Sequence, residues 1–240
     1  GGPKLYDVLT GGSRLQNFVT KAGARNVPSD DPAEQMLYVT SSSSSSPGIG
    51  RVGARVRDYV IDSKTQRPAI QLYGSTPISL SGISSTVDLR SVQVDPDDPT
   101  HLSVLIRGNQ QSVAFLQLDD MIATESRTRN LSVIGTGPSK LTSATLDGRP
   151  FVFASTYNDG SIYIFDLQQE AQLAQLDSEV LGLSGPFEMV VDEGRKVMFV
   201  ADYAASVIRV VDLSGLLDSS KAPPRIVATL GALRFAETLR

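Results

Sequence analysis

A short apolar segment that ends in aspartate recurs along the chain, and its period limits the possible folds more than any other feature. Three copies begin with serine and cover residues 112–119, 161–167 and 206–213. A weaker copy covers residues 57–62. The aspartates of these copies lie about 46 to 57 residues apart. Self-similarity at a period of roughly 20 to 50 residues is typical of repeat architectures, in which each copy is one supersecondary unit.

Each copy belongs to a group of four predicted strands. A run rich in β-branched or aromatic residues precedes it, such as residues 151–155 before residues 161–167, and such runs favour a pleated, largely buried surface. The residues between the two runs, 157–160, are Tyr-Asn-Asp-Gly, and Asn, Asp and Gly tolerate the backbone conformations of a tight hairpin. One further strand precedes each pair and another follows it. Four antiparallel strands per repeat predict the blades of an all-β β-propeller, and an irregular β-sandwich is the alternative.

The repeat register divides the chain into blades of a single propeller segment. We predict four complete blades and one strand of an adjoining blade at each end. A closed propeller commonly has more blades than four, so we expect part of a larger ring that is seven-bladed when complete. A compact ring of four or five blades, closed by the two terminal strands, is the alternative. The predicted blades are residues 12–74, 75–137, 138–185 and 186–231, and the flanking strands are residues 1–11 and 232–240.

Two of these segments resemble a known repeat family. Residues 37–41 read LYVTS, and residues 199–202 read FVAD ahead of the copy at residues 206–212. Together with Gly185-Pro186 they are similar to the YVTN-type β-propeller repeat. Members of that family are mostly secreted or surface-attached proteins of bacteria and archaea. The resemblance therefore implies a protein of the bacterial cell envelope, at the cell surface, in the periplasm or outside the cell.

The composition excludes several kinds of catalytic and metal-binding site. The 240 residues contain no cysteine and one histidine, His101, which excludes disulfides, thiolate metal sites and cysteine nucleophiles and leaves little for a histidine-based triad. Lysine and arginine number 22 against 26 aspartates and glutamates, a net charge of −4, so no basic field attracts nucleic acid. No apolar run approaches the roughly 18 residues of a membrane-spanning helix. We predict no catalytic residue, no metal and no cofactor.

Two sets of acidic residues receive a structural interpretation. His101 follows Asp95, Asp97 and Asp98 in a predicted turn. We expect a solvent-exposed turn histidine there, because no nucleophile or orienting acid lies at motif spacing, and a calcium loop is the weaker alternative. Aspartates recur at the ends of the third strands, where a carboxylate can accept hydrogen bonds from backbone at the strand exit. These aspartates are Asp62, Asp119, Asp166 and Asp212.

The turns between second and third strands are the candidate binding face. In a propeller these turns and the fourth-to-first connections lie around the mouth of the central channel. Polar and aromatic tips fit a binding surface, although ordinary turn chemistry explains each residue taken alone. The predicted ligand- or partner-binding face consists of Arg107, Asn109, Tyr157, Asn158, Asp159, Asp202 and Tyr203.

These observations predict a non-enzymatic binding or scaffolding propeller that mediates protein–protein contacts, with one or more protein partners. Two alternatives stay open. One is a propeller hydrolase or lactonase-like enzyme with a metal at the channel mouth, for which Asp159, Asp202 and Asn158 are the available side chains. The other is a structural subunit of a large surface assembly, in which neighbouring subunits cover open blade edges by strand addition.

Overall fold

The computed structural model describes residues 15–19, 34–41, 48–61, 68–83, 87–98, 100–119, 123–218 and 220–231. These residues form β-strands and one short helix, which confirms the predicted all-β class. The predicted flanking strands 1–11 and 232–240 lie outside the described residues. The strands are β1 (Leu15–Val19), β2 (Glu34–Ser41), β3 (Gly48–Ile61), β4 (Pro68–Ser81), β5 (Asp88–Val94), β6 (His101–Arg107), β7 (Ser112–Leu118), β8 (Glu125–Val133), β9 (Pro138–Leu146), β10 (Arg149–Thr156), β11 (Ser161–Asp166), β12 (Ala171–Leu176), β13 (Pro186–Asp192), β14 (Val197–Asp202), β15 (Val207–Asp212) and β16 (Arg225–Leu230), and the helix α1 is Ser178–Leu181.

The chain forms two compact units, and the division into the blades of a single propeller segment stays a prediction. The first unit consists of Gly1–Gln110 and Ala114–Leu131, and the second of Gln111–Val113 and Ser132–Arg240.

The strands of the first unit belong to one eight-stranded sheet, in the order β1-β2-β3-β4-β8-β7-β6-β5. Two antiparallel four-strand groups are joined where β4 runs parallel to β8, with Ser79 opposite Glu125. The described strands within residues 12–74 and 75–137, predicted as two blades, therefore share one hydrogen-bonded sheet. The strand that we predicted to end at Gly74 continues to Ser81. The register skips Gly74, because an extra glycine in a strand is accommodated as a bulge and does not end the strand.

The second unit contains two four-stranded antiparallel sheets. Their orders are β12-β11-β10-β9 and β13-β14-β15-β16, and they occupy the residues predicted as the blades 138–185 and 186–231. The hairpin after β10 pairs Thr156 with Ser161, and the hairpin after β14 pairs Asp202 with Val207. Gly160 adopts φ 67° in the first of these turns, a left-handed conformation that glycine allows without steric cost.

Apolar side chains between these two sheets form the core of the second unit. Phe151 and Phe153 of β10 pack in one cluster with Met198 and Val200 of β14. Fully burying such a side chain contributes about 1.5–3 kcal/mol to the free energy of folding. Val190, Phe199 and Ile208 lie on the opposite face of the second sheet and are largely exposed. The second sheet therefore has one buried apolar face and one exposed apolar face.

Two of the aspartates at the third-strand ends have the predicted structural role. Asp166 is buried, accepts hydrogen bonds from the backbone N–H groups of Gln168 and Gln169, and pairs with the Arg149 guanidinium. Asp212 accepts a hydrogen bond from the Ser214 N–H at 2.8 Å. Asp119 is exposed and pairs with Arg127, and Asp62 lies outside the described residues. The prediction is confirmed for Asp166 and Asp212.

His101 lies at the beginning of β6, between two charged groups. Its Nδ1 is 3.3 Å from the Asp98 carboxylate, and its Nε2 is 2.7 Å from the Arg129 guanidinium. Asp95 and Asp98 accept hydrogen bonds from the backbone N–H groups of Asp97 and Thr100. These contacts are those of a polar turn, but the His101 side chain is only 22% exposed, so the predicted solvent-exposed histidine is instead partly buried.

Met198 and Phe199 are neighbours on opposite faces of β14, and their substitution by alanine tests this packing. Met198 is 0% exposed and Phe199 is 37% exposed. We expect Met198→Ala to lower the free energy of unfolding by about 2–5 kcal/mol because it leaves a cavity. Phe199→Ala should lower it by roughly 1 kcal/mol or less. Urea unfolding measures both values, and an equally large effect at Phe199 would contradict the assignment of the two faces.

Candidate functional site

The two hairpin turns of the second unit are attached to connecting segments at the same end of both sheets. The backbone N–H of Tyr157 donates to the Gly137 carbonyl at 2.8 Å, and the N–H of Tyr203 donates to the Gly185 carbonyl at 2.9 Å. Each glycine precedes a proline that begins the first strand of its sheet, Pro138 or Pro186. The same local arrangement is therefore repeated in both sheets.

Gly185 is held by several contacts from neighbouring segments. Its N–H donates to the carboxylate of Asp202 at 2.9 Å, and the Ser184 N–H donates to the same oxygen at 3.2 Å. A Cβ on Gly185 would lie 2.7 Å from the Tyr157 ring, so only glycine fits beneath that ring. Asp202 is 0% exposed, and Arg209 lies 3.4 Å from it. The carboxylate of Asp202 therefore fixes the connecting segment beneath the aromatic side chains.

Three aromatic side chains cluster above Gly185 and form what we call the aromatic patch: Tyr157, Phe187 and Tyr203. The ring centroid of Tyr203 lies 6.4 Å from that of Tyr157 and 6.2 Å from that of Phe187, and both pairs are tilted. Tyr203 is 71% exposed and Phe187 is 42% exposed. Aromatic rings offer large contact area, and tyrosine adds a polar hydroxyl. The patch can accordingly pack against the flat face of a small ring-shaped ligand.

Asp159 lies in the same turn as Tyr157. Its Oδ2 lies 3.5 Å from the Tyr163 hydroxyl, and a Cβ on Gly135 would overlap that oxygen. Its Oδ1 is buried and has no hydrogen-bond partner among the residues that the structure describes. Burial and, next in size, the negative charge of Asp159 raise the pKa of the Tyr163 hydroxyl. Asp159 and Tyr163 thus form a pair of acidic groups in which the Tyr163 phenol favours its neutral form.

A lysine–glutamate pair lies at the starts of β9 and β13. The Lys140 Nζ is 3.6 Å from a Glu188 carboxylate oxygen, and Glu188 directly follows Phe187 of the aromatic patch. The Ser155 hydroxyl links the two strands, since it donates to the Phe187 carbonyl at 2.8 Å and accepts from the Lys140 N–H at 3.2 Å. This pair was not among the functional residues predicted from the sequence. Aligning the two Gly-Pro copies would have revealed it, because Lys140 and Glu188 follow Gly137-Pro138 and Gly185-Pro186 at the same distance.

The structure divides the predicted binding face between the two units. Arg107 belongs to the first unit, where it pairs with Asp88 at 2.8 Å, and Asn109 lies in an exposed bend after β6. The exposed Asn158 lies over Gly137 in the second unit. The other four predicted residues, Tyr157, Asp159, Asp202 and Tyr203, also lie in the second unit. The role of the seven residues in ligand or partner binding stays a prediction.

The sequence matches one family model over a little more than half of its length. Residues 100–227 match the family described as "Lactonase, 7-bladed beta-propeller". The chain belongs to this family. Membership establishes the β-propeller class that the repeat predicts. It supports a propeller family in general and does not confirm the YVTN-type repeat.

Several solved structures share the fold of this lactonase-family chain at low sequence identity. A functionally unknown protein of Desulfotomaculum acetoxidans has a TM-score of 0.55 and 12% identity, over 92% of this chain and 57% of that one. The periplasmic gluconolactonase PpgL of Pseudomonas aeruginosa has a TM-score of 0.54 and 14% identity, over 86% of this chain and 53% of that one. The lactonase-family chain thus spans little more than half the length of these proteins. No curated protein sequence matches it.

The family corrects the predicted function. The sequence analysis favoured a non-enzymatic binding or scaffolding propeller, and the match to a lactonase family together with the similarity to a gluconolactonase overturns that prediction. The lactonase-like alternative agrees better with both findings. The prediction went wrong because scarce cysteine and histidine exclude only the chemistry of those side chains. Carboxylate, lysine and tyrosine groups remain available in a lactonase-family propeller.

Membrane-spanning helices and clusters of metal ligands are both absent among the described residues. No helix among them is long and apolar enough to cross a membrane. Within the same part of the chain, no three histidine, cysteine, aspartate or glutamate side chains come together as metal ligands.

Asp159→Asn tests the acidic pair in the turn. Removing the negative charge should lower the pKa of Tyr163 towards its usual value of 10.0, while burial keeps part of the increase. A raised pKa contributes stability that is present below the usual value and is lost as the pH rises through the folded-state pKa. The titration of tyrosine absorbance, taken as the difference from Tyr163→Phe, measures this pKa. Asp147→Asn in a different turn is the control, and an unchanged Tyr163 pKa in Asp159→Asn would refute the pairing.

Proposed function

We propose that this chain belongs to a hydrolase that opens lactones, and that the aromatic patch with Lys140 and Glu188 forms part of its substrate site. The match of residues 100–227 to a lactonase family is the observation that carries the proposal. The site geometry supports it, because Phe187 of the exposed aromatic patch is directly followed by Glu188, whose exposed carboxylate lies 3.6 Å from the Lys140 ammonium. The similarity to a gluconolactonase is in agreement.

Lactone opening is the hydrolysis of a cyclic ester and needs little from the protein beyond a base, charge stabilisation and positioning. The oxygen of water forms a bond to the carbonyl carbon, and the bond from that carbon to the ring oxygen breaks. One proton leaves the water, and the ring oxygen gains one proton, so the product is a hydroxy acid. A positioned carboxylate can accept the first proton, and a nearby cation can stabilise the negative oxygen that develops on the carbonyl.

Glu188 and Lys140 have the properties that these two roles require. The Glu188 side chain is 53% exposed, so water reaches its carboxylate. The Lys140 side chain is more buried, at 20% exposure, and a partly desolvated ammonium group interacts more strongly with a developing negative charge. We assign proton abstraction from water to Glu188 and stabilisation of the carbonyl oxygen to Lys140. The aromatic patch would hold the lactone ring beside them.

Ser155 keeps this pair in place. Its buried hydroxyl contacts the backbone of both Lys140 and Phe187, so the first strands of the two sheets cannot shift apart without losing those hydrogen bonds. Displacements of about 1 Å in a catalytic group lower rates by roughly 100-fold. The interior of the second unit therefore fixes the spacing that the reaction needs.

Glu188→Gln tests the assignment. Loss of the carboxylate should lower kcat for opening of a six-membered lactone by about 100-fold or more, as expected for removal of a general base. Lys140→Met should lower kcat by about 10- to 1,000-fold because the carbonyl oxygen loses its stabilising charge. Acid release in a pH-stat measures both rates.

Glu125→Gln is the matched control, since it makes the same carboxylate-to-amide change on an exposed position of β8. It should leave kcat within about twofold of the unmodified protein. Wild-type rates in Glu188→Gln would contradict the assignment of the base. Absence of lactone opening in the unmodified protein would contradict the proposed function itself.

The finer predictions from the sequence remain open. The YVTN-type repeat, the specific protein partners and the location in the bacterial cell envelope stay predictions.

A further inference from the structure

The end of the second unit that holds the aromatic patch contains acidic groups in excess of basic ones. Two of its acids are paired, Asp202 with Arg209 and Glu188 with Lys140. Each of these pairs is close to electrically neutral as a whole. The charge balance of this end therefore depends on its remaining ionisable groups.

Three carboxylates at this end have no basic partner among the ion pairs of the described residues: Asp159, Asp177 and Glu179. Asp159 lies in the turn that carries Tyr157. Asp177 and Glu179 flank Ser178, whose Cβ would lie 3.1 Å from a Cβ on Gly160 in that same turn. The first turn of α1 therefore packs directly against the turn beside the aromatic patch.

From this charge distribution we infer that the site takes an uncharged lactone and discriminates against one that carries a phosphate. This inference rests on the proposed function and specifies its substrate class. Three unpaired negative charges repel an anionic substituent, and like charges placed together suppress a wrong ligand. The neutral lactone loses nothing to this repulsion, because its ring packs on the aromatic patch by dispersion and apolar burial.

The Lys140 ammonium does not offset this repulsion. It lies 3.6 Å from Glu188, so a phosphate that approached it would have to compete with a carboxylate already in place. Multiply charged phosphate groups are most often bound by arginine forks or by backbone N–H groups at helix ends. Arg209 reaches this end of the second unit, and its guanidinium already contacts Asp202 and Thr229.

A matched pair of substrates tests the inference: D-glucono-1,5-lactone and the same lactone with a phosphate on its 6-hydroxyl. At low ionic strength we expect kcat/KM for the neutral lactone to exceed that for the phosphorylated one by about tenfold or more. The difference should shrink as salt is added, because salt screens interactions between exposed charges. Equal or higher kcat/KM for the phosphorylated lactone would overturn the inference.

The double variant Asp177→Asn, Glu179→Gln removes two of the three charges and retains the helix cap, since asparagine caps as well as aspartate. We expect kcat/KM for the phosphorylated lactone to rise about threefold or more. The value for the neutral lactone should stay within about twofold, because no charge of the neutral substrate is affected. An unchanged ratio between the two substrates would refute the role of these carboxylates. Circular dichroism of the variant confirms that it is folded.

Failure of the proposed function can be distinguished from failure of this inference about charge. If neither lactone is opened, the reaction assignment is wrong, and binding of the corresponding unreactive lactams still decides the charge preference. Calorimetric titration should then show that the neutral lactam binds about tenfold or more tightly than its phosphorylated counterpart. Tighter binding of the phosphorylated lactam, or binding of neither, would overturn the inference.

Discussion

The site depends on one buried carboxylate. Asp202 accepts hydrogen bonds from two successive backbone N–H groups, those of Ser184 and Gly185, and a buried carboxylate left without such donors would cost several kcal/mol. These bonds fix the connecting segment between the two sheets at the point where the Tyr203 N–H donates to the Gly185 carbonyl. Because Tyr157 packs on the same glycine, the aromatic patch is positioned by the interior of the protein and not by its own contacts.

The lactonase family membership and the geometry of the second unit support the same interpretation of function. Within that unit the structure places an aromatic surface, an exposed glutamate and its lysine partner at one end of two packed sheets. The chain matches the family over residues 100–227, and that range includes every residue to which we assign a role in lactone opening. Solved structures with the same fold are considerably longer than this chain. Lactone opening is therefore a proposal, and the described residues form part of its site.

Much of the fold could be predicted from the sequence because it depends on local patterns of residue types. The four-strand repeat and the turn at residues 157–160 follow from alternating β-branched runs and turn residues. The pairing of β4 with β8 could not be predicted, since the contact between Ser79 and Glu125 joins distant segments through backbone groups that carry no sequence signature. Asp202 was predicted as a binding residue from its position in a turn. Its side chain instead points inward, because its carboxylate accepts hydrogen bonds from the backbone of the neighbouring loop. Function was misjudged from the absence of cysteine and the single histidine, although Lys140 and Glu188 were present.

Nuclear magnetic resonance of the aromatic side chains tests the central claim most directly. The claim is that a small neutral ring binds at Tyr157, Phe187 and Tyr203. Titration with an unreactive six-membered lactam should shift the ring signals of these three residues saturably. The ring of Phe199, which is exposed on β14 and pairs with Val190 and Val210 within the sheet, should stay unchanged and serves as the internal reference. Equal shifts at Phe199 and at the patch, or no shift at the patch at saturating lactam, would contradict the claim.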